Sequence, residues 1–224
     1  MLLTIPALLD AARVQQARAM LEDAPFVDGR LSAGSDARRV KNNEEVRPDD
    51  GRVAELNRMI LGRLYAHPVF QAAALPRKLS GAFFARYRPG MQYGTHVDDP
   101  VMGPEGGRYR TDVSVTVFLN EPDTYDGGEL TIETEFGEQQ VKLAAGDAVF
   151  YPSSSLHRVA EVVRGERLVV VAWAESMVRD PARRRLLYDL YQVTEALRIA
   201  TPQAEATRRA SHVHANLMRM WAEL

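Results

Sequence analysis

Two histidines and one aspartate in this chain have the types and spacing of a metal site. His96 and Asp98 are separated by one residue in a segment of strand-like composition, and residues two apart on a strand point to the same side. A third ligand has to come from elsewhere in the fold. His157 is the candidate, because it begins a later predicted strand that a two-sheet fold can place beside His96.

An arginine follows this set at a distance that suggests a second binding function. Arg167 lies ten residues after His157, at the start of the apolar run 168–173. A guanidinium in an apolar wall is costly unless a carboxylate meets it, and its planar fork suits bidentate binding of one. Two imidazoles and one carboxylate with open positions opposite are the arrangement of non-haem Fe(II) oxygenases. The residues therefore predict an iron site beside a carboxylate-binding arginine.

Strands are the elements that must position these residues. Between Leu79 and Glu175 the hydrophobic pattern alternates, and turns such as Asp126-Gly127-Gly128 separate short runs rich in Val, Thr, Phe and Tyr. Eight short strands with tight turns favour a two-sheet jelly roll, a double-stranded β-helix. We predict these strands at 79–87, 93–97, 112–119, 129–135, 140–143, 148–151, 157–162 and 168–173.

Helices are predicted on both sides of this core, which makes the fold class mainly β with flanking helices. Apolar spacing predicts helices over 6–24 and 52–65, with a loop over 26–50 between them. At the C-terminus, Asp180-Pro181 and Thr201-Pro202 each resemble an N-cap followed by proline at the first helical position. They predict a helical hairpin, in which Arg183-Arg184-Arg185 forms a solvated face.

We expect three parts in the chain: an N-terminal helical and loop support at 1–78, the jelly-roll core at 79–178 and the C-terminal helical extension at 179–224. The apolar stripes of the hairpin are too long to leave in water. They either cap the jelly roll near the mouth of the site, which the sequence slightly favours, or form the interface of a homo-oligomer.

Composition excludes several classes of protein. The 224 residues suffice for one core with an appended element, and 46% hydrophobic content excludes a wholly disordered chain. Twenty-eight basic against thirty acidic residues leave no excess for binding nucleic acid. The absence of cysteine excludes thiol nucleophiles and Cys-ligated metals. The first residues do not form a signal peptide and no apolar run spans a bilayer, so we expect a cytoplasmic protein without a membrane partner.

The motifs together resemble a known family. The order His-x-Asp, distal His and Arg is similar to that of the Fe(II)- and 2-oxoglutarate-dependent dioxygenases of the prolyl hydroxylase-like branch. The chain resembles the bacterial PKHD-type hydroxylases in particular, over nearly its whole length. The segments that carry this resemblance are Ala33-Gly34, Val40-Lys41-Asn42-Asn43, Tyr93-Gly94-Thr95-His96-Val97-Asp98, Asp126-Gly127-Gly128-Glu129-Leu130 and Gly146-Asp147-Ala148-Val149-Phe150-Tyr151-Pro152-Ser153.

The resemblance implies roles for single residues. His96, Asp98 and His157 would bind Fe(II), and Arg167 would bind the distal carboxylate of 2-oxoglutarate. In some relatives a tyrosine assists the arginine from the strand at 112–119, whereas this chain has Phe118 there. The second contact to the cosubstrate is therefore open between Tyr87 and Thr116. Asp99, next to the aspartate ligand, is expected to be a solvated or structural carboxylate.

The resemblance also implies the reaction and its partners. The enzyme would use O2 to hydroxylate an unactivated C–H bond of a small-molecule or peptidyl substrate, releasing succinate and CO2, with L-ascorbate as the reductant that keeps iron ferrous. A link to iron uptake, through siderophore chemistry, is a further implication. The rival class is a non-catalytic jelly-roll protein that senses iron or 2-oxoglutarate, and succinate release under air separates the two. Oxidative demethylation of nucleic acid is weakened by the neutral charge balance.

Overall fold

The computed structural model describes residues 1–223. Within this range two facing antiparallel sheets form a jelly roll, and helices pack on the outer face of the larger sheet. This confirms the predicted fold class, mainly β with flanking helices and a C-terminal helical hairpin. No helix in the described residues is both long and apolar enough to cross a membrane.

The elements have the following bounds. The helices are α1 (Ala11–Glu22), α2 (Ala37–Val40), α3 (Gly51–Ala66), α4 (Pro68–Ala74), α5 (Pro181–Ala200) and α6 (Glu205–Trp221), with a 3-10 helix at Gly29–Ser32. The strands are β1 (Leu3–Ile5), β2 (Phe26–Asp28), β3 (Lys41–Asn42), β4 (Glu44–Val46), β5 (Pro76–Leu79), β6 (Phe83–Tyr87), β7 (Gln92–His96), β8 (Val101–Met102), β9 (Tyr109–Arg110), β10 (Val113–Phe118), β11 (Asp126–Gly127), β12 (Leu130–Thr134), β13 (Gly137–Val141), β14 (Ala148–Pro152), β15 (His157–Val159), β16 (Val162–Arg164) and β17 (Arg167–Ser176).

The order of strands in the two sheets brings distant parts of the chain together. The larger sheet runs β1-β14-β10-β17-β6-β4-β2, and β5 pairs with the end of β17. The smaller sheet runs β13-β12-β15-β7-β3. In the larger sheet Arg167 of β17 lies opposite Tyr87 of β6. In the smaller sheet His157 of β15 lies opposite His96 of β7.

The alternation of side chains along β17 divides the interior into two cores. Leu168, Val170 and Ala174 belong to the core between the larger sheet and the helices. Val169 and Val171 face the other way, into the space between the two sheets. Because successive strand residues point to opposite faces, one strand contributes to the helical support and to the cavity of the jelly roll.

The N-terminal part differs from the sequence prediction in two respects. Helix α1 does not begin near Pro6. It begins at Ala11, because the Asp10 side chain accepts a hydrogen bond from the Arg13 N–H and caps the helix. The predicted loop over 26–50 is also wrong, since it contains β2, β3 and β4, and these short strands extend both sheets. Their pairing partners are distant in sequence, so local composition did not reveal them.

The two predicted caps of the hairpin have different outcomes. Asp180 is the N-cap of α5 as predicted, with Pro181 in the first turn and an Oδ1 that accepts from the Ala182 N–H at 2.7 Å. The second prediction is wrong: Thr201 ends α5, and α6 begins at Glu205 without a side-chain cap. The Thr201 hydroxyl lies beside that of Thr207 at 3.4 Å, in the turn between the helices.

The hairpin packs against α4 and the end of β17. Leu187 is fully buried there with Leu75 and Val178, and Trp221 of α6 packs against the same cluster. None of the residues that line the space between the sheets belongs to the hairpin, and the expectation that the hairpin caps the jelly roll near the mouth of the site stays a prediction. A role in a homo-oligomer stays a prediction.

Arg184 corrects another expectation, the solvated arginine face. Its side chain is 4% exposed, and it donates hydrogen bonds to the backbone carbonyls of Val178, Arg179 and Asp112. Burial lowers the pKa of the Arg184 guanidinium. The residue thus ties α5 to the ends of β10 and β17, whereas Arg183 and Arg185 remain exposed.

We predict that Leu187→Ala lowers the free energy of unfolding by about 2 to 5 kcal/mol, because it opens a cavity in a closed cluster. Leu186→Ala is the matched control, since the neighbouring Leu186 is 57% exposed and should change stability by less than about 0.5 kcal/mol. Urea unfolding followed by circular dichroism measures both. Equal effects of the two substitutions would contradict the packing described for the hairpin.

Candidate functional site

A cavity lies between the two sheets and contains the residues singled out by sequence. His96, Asp98 and His157 line it together with Tyr87 and Arg167. Its walls also include apolar side chains from both sheets, among them Ala85, Leu130, Val159 and Val171. The N-terminal segment that was predicted to be a loop supplies a further wall, with residues Ser32, Ala33, Gly34, Ala37, Lys41, Asn43 and Glu45.

The three predicted metal ligands converge at one point. Asp98 Oδ1 lies 3.9 Å from His96 Nε2 and 3.7 Å from His157 Nε2. One ligand atom from each residue lies within 4.8 Å of the others, and no other group of three His, Cys, Asp or Glu in residues 1–223 meets this condition. The cross-strand pairing of β7 with β15 places the two imidazoles side by side. The geometry is that of a site for one ion.

Asp98 reaches this point in a different way from the one the sequence predicted. Strand β7 ends at His96, so Asp98 lies in the segment that follows it and not on the strand. Strict alternation therefore does not govern its neighbour either, and Asp99 also lines the cavity, where its carboxylate lies against Gly34. The structure leaves Asp99 outside the group of three.

Hydrogen bonds hold both imidazoles with Nε2 toward the shared point. His96 Nδ1 donates to the Gly94 carbonyl at 2.8 Å, and His157 Nδ1 donates to the Ser155 carbonyl at 3.0 Å, with the tautomers assigned from these contacts. Each ring thus keeps a free lone pair on Nε2. Ligating histidines commonly donate their other ring N–H in this manner, which fixes the ring and raises its basicity.

The Asp98 carboxylate is oriented by two donors that sequence analysis did not find. Its Oδ2 accepts a hydrogen bond from Trp173 Nε1 at 2.9 Å and another from the Ser114 hydroxyl. Oδ1 is left to face the imidazoles. The signal for Trp173 was present, since it lies six residues after Arg167 on the same strand and shares its face. Ser114 gave none, because only the β10–β17 register shows its position opposite Trp173.

The environment keeps His96 neutral. Burial and then the neighbouring His157 lower the pKa of His96 to about 4, and the Tyr93 ring stacks on it with centroids 3.7 Å apart. Since a metal ligand must offer a lone pair, the neutral imidazole at neutral pH is the form that can bind an ion. Burial likewise raises the pKa of the Tyr93 hydroxyl, which stays protonated.

Arg167 lies at the other end of the cavity, as the start of β17. Its side chain is 2% exposed, no carboxylate in residues 1–223 pairs with it, and its Nε is buried without a hydrogen-bond partner. The guanidinium carbon lies 5.1 Å from the Tyr87 ring and 5.6 Å from the Phe118 ring. A buried cation without an anion is strongly destabilising, so this end of the cavity is suited to an anionic ligand.

Both residues considered for a second contact line the same cavity. Tyr87 lies directly opposite Arg167 in the larger sheet, and burial raises the pKa of its hydroxyl to about 12. Thr116 lies on β10, opposite Val171 of β17. Of the remaining histidines, His67 precedes α4, while His212 and His214 lie on α6, and none of the three lines this cavity.

Comparisons with known proteins agree with this geometry. Residues 82–175 match the model of the 2OG-Fe(II) oxygenase superfamily, and residues 181–223 match the PKHD-type hydroxylase C-terminal domain. A PKHD-type hydroxylase of Thioalkalivibrio sulfidiphilus is 75% identical over 224 residues, and one of Teredinibacter turnerae is 48% identical over 226 residues. Each alignment covers 100% of both chains.

Solved structures show the same fold at lower identity. A Pseudomonas putida prolyl-4-hydroxylase superposes with a TM-score of 0.52 and 21% identity, covering 78% of this chain and 92% of its own. A Trichoplax adhaerens prolyl hydroxylase, in complex with a hypoxia inducible factor peptide fragment, gives 0.55 and 17%, covering 83% and 86%.

The resemblance seen in the sequence is thereby confirmed. The family uses Fe(II) and 2-oxoglutarate, for which the cavity offers a cluster of two imidazoles and one carboxylate at one end and a buried cation at the other. The chain belongs to the PKHD-type hydroxylases of the 2OG-Fe(II) oxygenase superfamily and is a dioxygenase.

Proposed function

We propose that His96, Asp98 and His157 hold a ferrous ion and that Arg167 binds the distal carboxylate of 2-oxoglutarate. The observation that carries the proposal is the buried Arg167 guanidinium, which lacks a carboxylate partner in the described residues and lies in the same cavity as the three converging side chains. A dicarboxylate that spans from the ion to Arg167 would neutralise this cation and fill the open coordination positions.

The donor set fits ferrous iron. Two neutral imidazoles and one carboxylate on one side of an ion are the facial arrangement used by non-haem Fe(II) oxygenases, and the absence of cysteine removes the thiolates that favour zinc or iron–sulfur centres. When bound, the iron and 2-oxoglutarate together supply the oxidising chemistry that places one oxygen atom of O2 on a C–H bond and the other in succinate, with release of CO2.

The chain's own residues provide binding, orientation and exclusion of water. The Gly94 and Ser155 carbonyls fix the two imidazole rings, and Trp173 and Ser114 fix the carboxylate. Burial of Arg167 among apolar side chains strengthens its interaction with an anion. Tyr87, opposite the arginine, or Thr116 would supply the second contact to the cosubstrate.

The substrate is proposed to be a small molecule or a peptidyl side chain. The peptide complex of the Trichoplax prolyl hydroxylase supports the peptidyl alternative through the shared fold. Asp99, Met102, Phe83 and Trp173 also line the cavity; Trp173 contacts Asp98 and Phe83 packs on Trp173, so a substrate would meet the ion beside these two rings. L-Ascorbate as the reductant, a link to iron uptake and a homo-oligomeric state stay predictions.

We predict that His96→Ala, Asp98→Ala and His157→Ala each abolish 2-oxoglutarate turnover and weaken iron binding by roughly 100-fold or more, because the three ligands supply geometry and charge together. Succinate release under air and anaerobic Fe(II) titration measure the two effects. His212→Ala is the control, since His212 is exposed on α6. Wild-type turnover in any of the three variants would refute the assignment of that ligand.

We predict that Arg167→Ala weakens 2-oxoglutarate binding by roughly 30-fold or more, since loss of one partner of a buried charge pair costs about 2 to 5 kcal/mol. Iron binding should persist. Arg167→Lys should recover part of the affinity, because an ammonium group cannot reproduce the fork. Calorimetric titration of the metal-loaded protein measures the affinity, with Arg158→Ala, at an exposed ion pair with Glu138, as the control. Unchanged affinity in Arg167→Ala would place the anchor elsewhere.

We predict that Trp173→Phe weakens iron binding by about 10- to 100-fold, as removal of a hydrogen bond to a ligating side chain commonly does. The chain has two tryptophans, and Trp221→Phe is the matched control because Trp221 packs in the hairpin, away from the cavity. Fe(II) titration under nitrogen compares the two variants. Equal iron affinities would show that the contact from Trp173 Nε1 does not support Asp98.

A further inference from the structure

Tyr125 is a buried tyrosine to which the sequence gave no role. It precedes the Asp126-Gly127-Gly128 turn, its side chain is 1% exposed, and its hydroxyl has no hydrogen-bond partner. In residues 1–223 four buried side-chain nitrogen or oxygen atoms lack a partner, and two of them are Tyr125 Oη and Arg167 Nε. Buried polar atoms are normally paired, so two such atoms on adjacent side chains require an explanation.

A glycine brings the two side chains together. Gly128 has a φ of +68°, and a Cβ added there would lie 3.0 Å from Arg167 Cδ and 3.1 Å from Tyr125 Cε2. Both side chains therefore pack against the same Cα, in space that any other residue would occupy. The β11–β16 pairing shifts register between Asp126 and Gly127, and such irregularities re-aim nearby side chains. The turn thus places Tyr125 beside the arginine.

We propose that Tyr125 is the positioning residue of Arg167: its hydroxyl oxygen accepts the Nε–H and aims the two terminal nitrogens at the cosubstrate. The inference rests on the proposed function of Arg167. The two atoms do not bond to each other in the structure, and one Nε–H···Oη hydrogen bond, formed when an anion engages Arg167, would satisfy both. Burial raises the pKa of the Tyr125 hydroxyl, and the neighbouring charge of Arg167 acts in the opposite direction.

The surroundings leave this role to Tyr125. The rings that flank the guanidinium belong to Tyr87 and Phe118. The Phe118 ring offers no oxygen that could accept a hydrogen bond. Tyr87 lines the cavity, whereas Tyr125 does not, so the Tyr125 hydroxyl approaches the arginine from behind. The turn thereby supplies the acceptor that position 118 lacks.

A lysine holds Tyr125 from its outer side. Lys142 Nζ lies 4.2 Å from the centroid of the Tyr125 ring and donates a hydrogen bond to the Tyr125 carbonyl at 2.8 Å. Glu129 Oε1 lies 3.5 Å from the same Nζ. Because the ring is packed between this cation and Gly128, its hydroxyl has a fixed position. A fixed acceptor on Nε reduces the freedom that the guanidinium loses on binding a carboxylate, and that raises affinity.

Binding affinities of Tyr125→Phe test this role. The protein is loaded with Mn(II), which does not turn over, and titrated calorimetrically with 2-oxoglutarate or with 2-oxopentanoate, which carries a methyl group in place of the distal carboxylate. We expect 2-oxoglutarate to bind about tenfold more weakly to Tyr125→Phe than to wild type, with unchanged affinities for 2-oxopentanoate and Mn(II). Tyr65→Phe, at a tyrosine that is 47% exposed, is the matched control.

A second variant tests the mechanism. Phe118→Tyr in the Tyr125→Phe background returns a hydroxyl to the same guanidinium and should restore most of the 2-oxoglutarate affinity. If the double variant binds 2-oxoglutarate as weakly as Tyr125→Phe alone, a hydroxyl at position 118 does not replace that of Tyr125, and the proposed mechanism is overturned. Equal losses for both keto acids would assign Tyr125 a merely structural role, and an unchanged 2-oxoglutarate affinity would refute the inference outright.

The outcome for Arg167→Ala separates this inference from the proposed function. If Arg167→Ala weakens 2-oxoglutarate binding while Tyr125→Phe does not, the anchor stands and only the role of Tyr125 falls. If Arg167→Ala has no effect, the assignment of the anchor fails, and the role of Tyr125 fails with it.

Discussion

The register of β17 is the constraint on which the whole site depends. Arg167, Val169, Val171 and Trp173 alternate along one face of this strand, so one end of it carries the cation and the other carries the donor to Asp98. Six residues of strand span about 20 Å, and the side chains of Arg167 and Trp173 both reach into the cavity between its ends. A slip of one residue would turn both ends away from the cavity. Extensive pairing of β17 with β6 and β10 prevents this.

The buried charges that line the cavity are of two kinds: those with partners inside the protein, and Arg167, which has no carboxylate partner in residues 1–223. Lys41 and Glu45 form an ion pair at 2.6 Å with little exposure, and the Lys41 ammonium also donates to the Ser32 hydroxyl. Asp98 receives hydrogen bonds from two donors. The Lys41–Glu45 charges are thus satisfied within the protein, and the Asp98 carboxylate is oriented while its Oδ1 faces the imidazoles. Arg167 lacks a carboxylate partner among residues 1–223, and the cost of that arrangement is offset only when an anion enters.

Sequence predicted that His96, Asp98, His157 and Arg167 lie together, and they line one cavity, although Asp98 follows the end of β7 and is not on the strand. His157 and Arg167 begin strands as expected. The features that the sequence did not predict depend on interactions between distant segments of the chain. The short strands at 26–46 form only through their partners in the two sheets. Arg184 resembles its exposed neighbours in sequence, yet it is buried and donates hydrogen bonds to the carbonyls of Asp112 and Val178, which are 72 and 6 residues away. Tyr125 sits in a segment that looked like an ordinary turn, and only the three-dimensional structure places it beside Arg167.

The C-terminal hairpin is connected to the cavity through the ends of two strands, although it does not line the cavity. Arg184 of α5 holds the carbonyls of Asp112 and Val178, next to the ends of β10 and β17. Two residues into β10 from that end lies Ser114, and its partner across the register is Trp173. These are the two donors to the Asp98 carboxylate. The hairpin thus fixes the strand ends that carry both donors, and its structural connection to the proposed metal site runs through the orientation of the Asp98 carboxylate, without contact with the substrate.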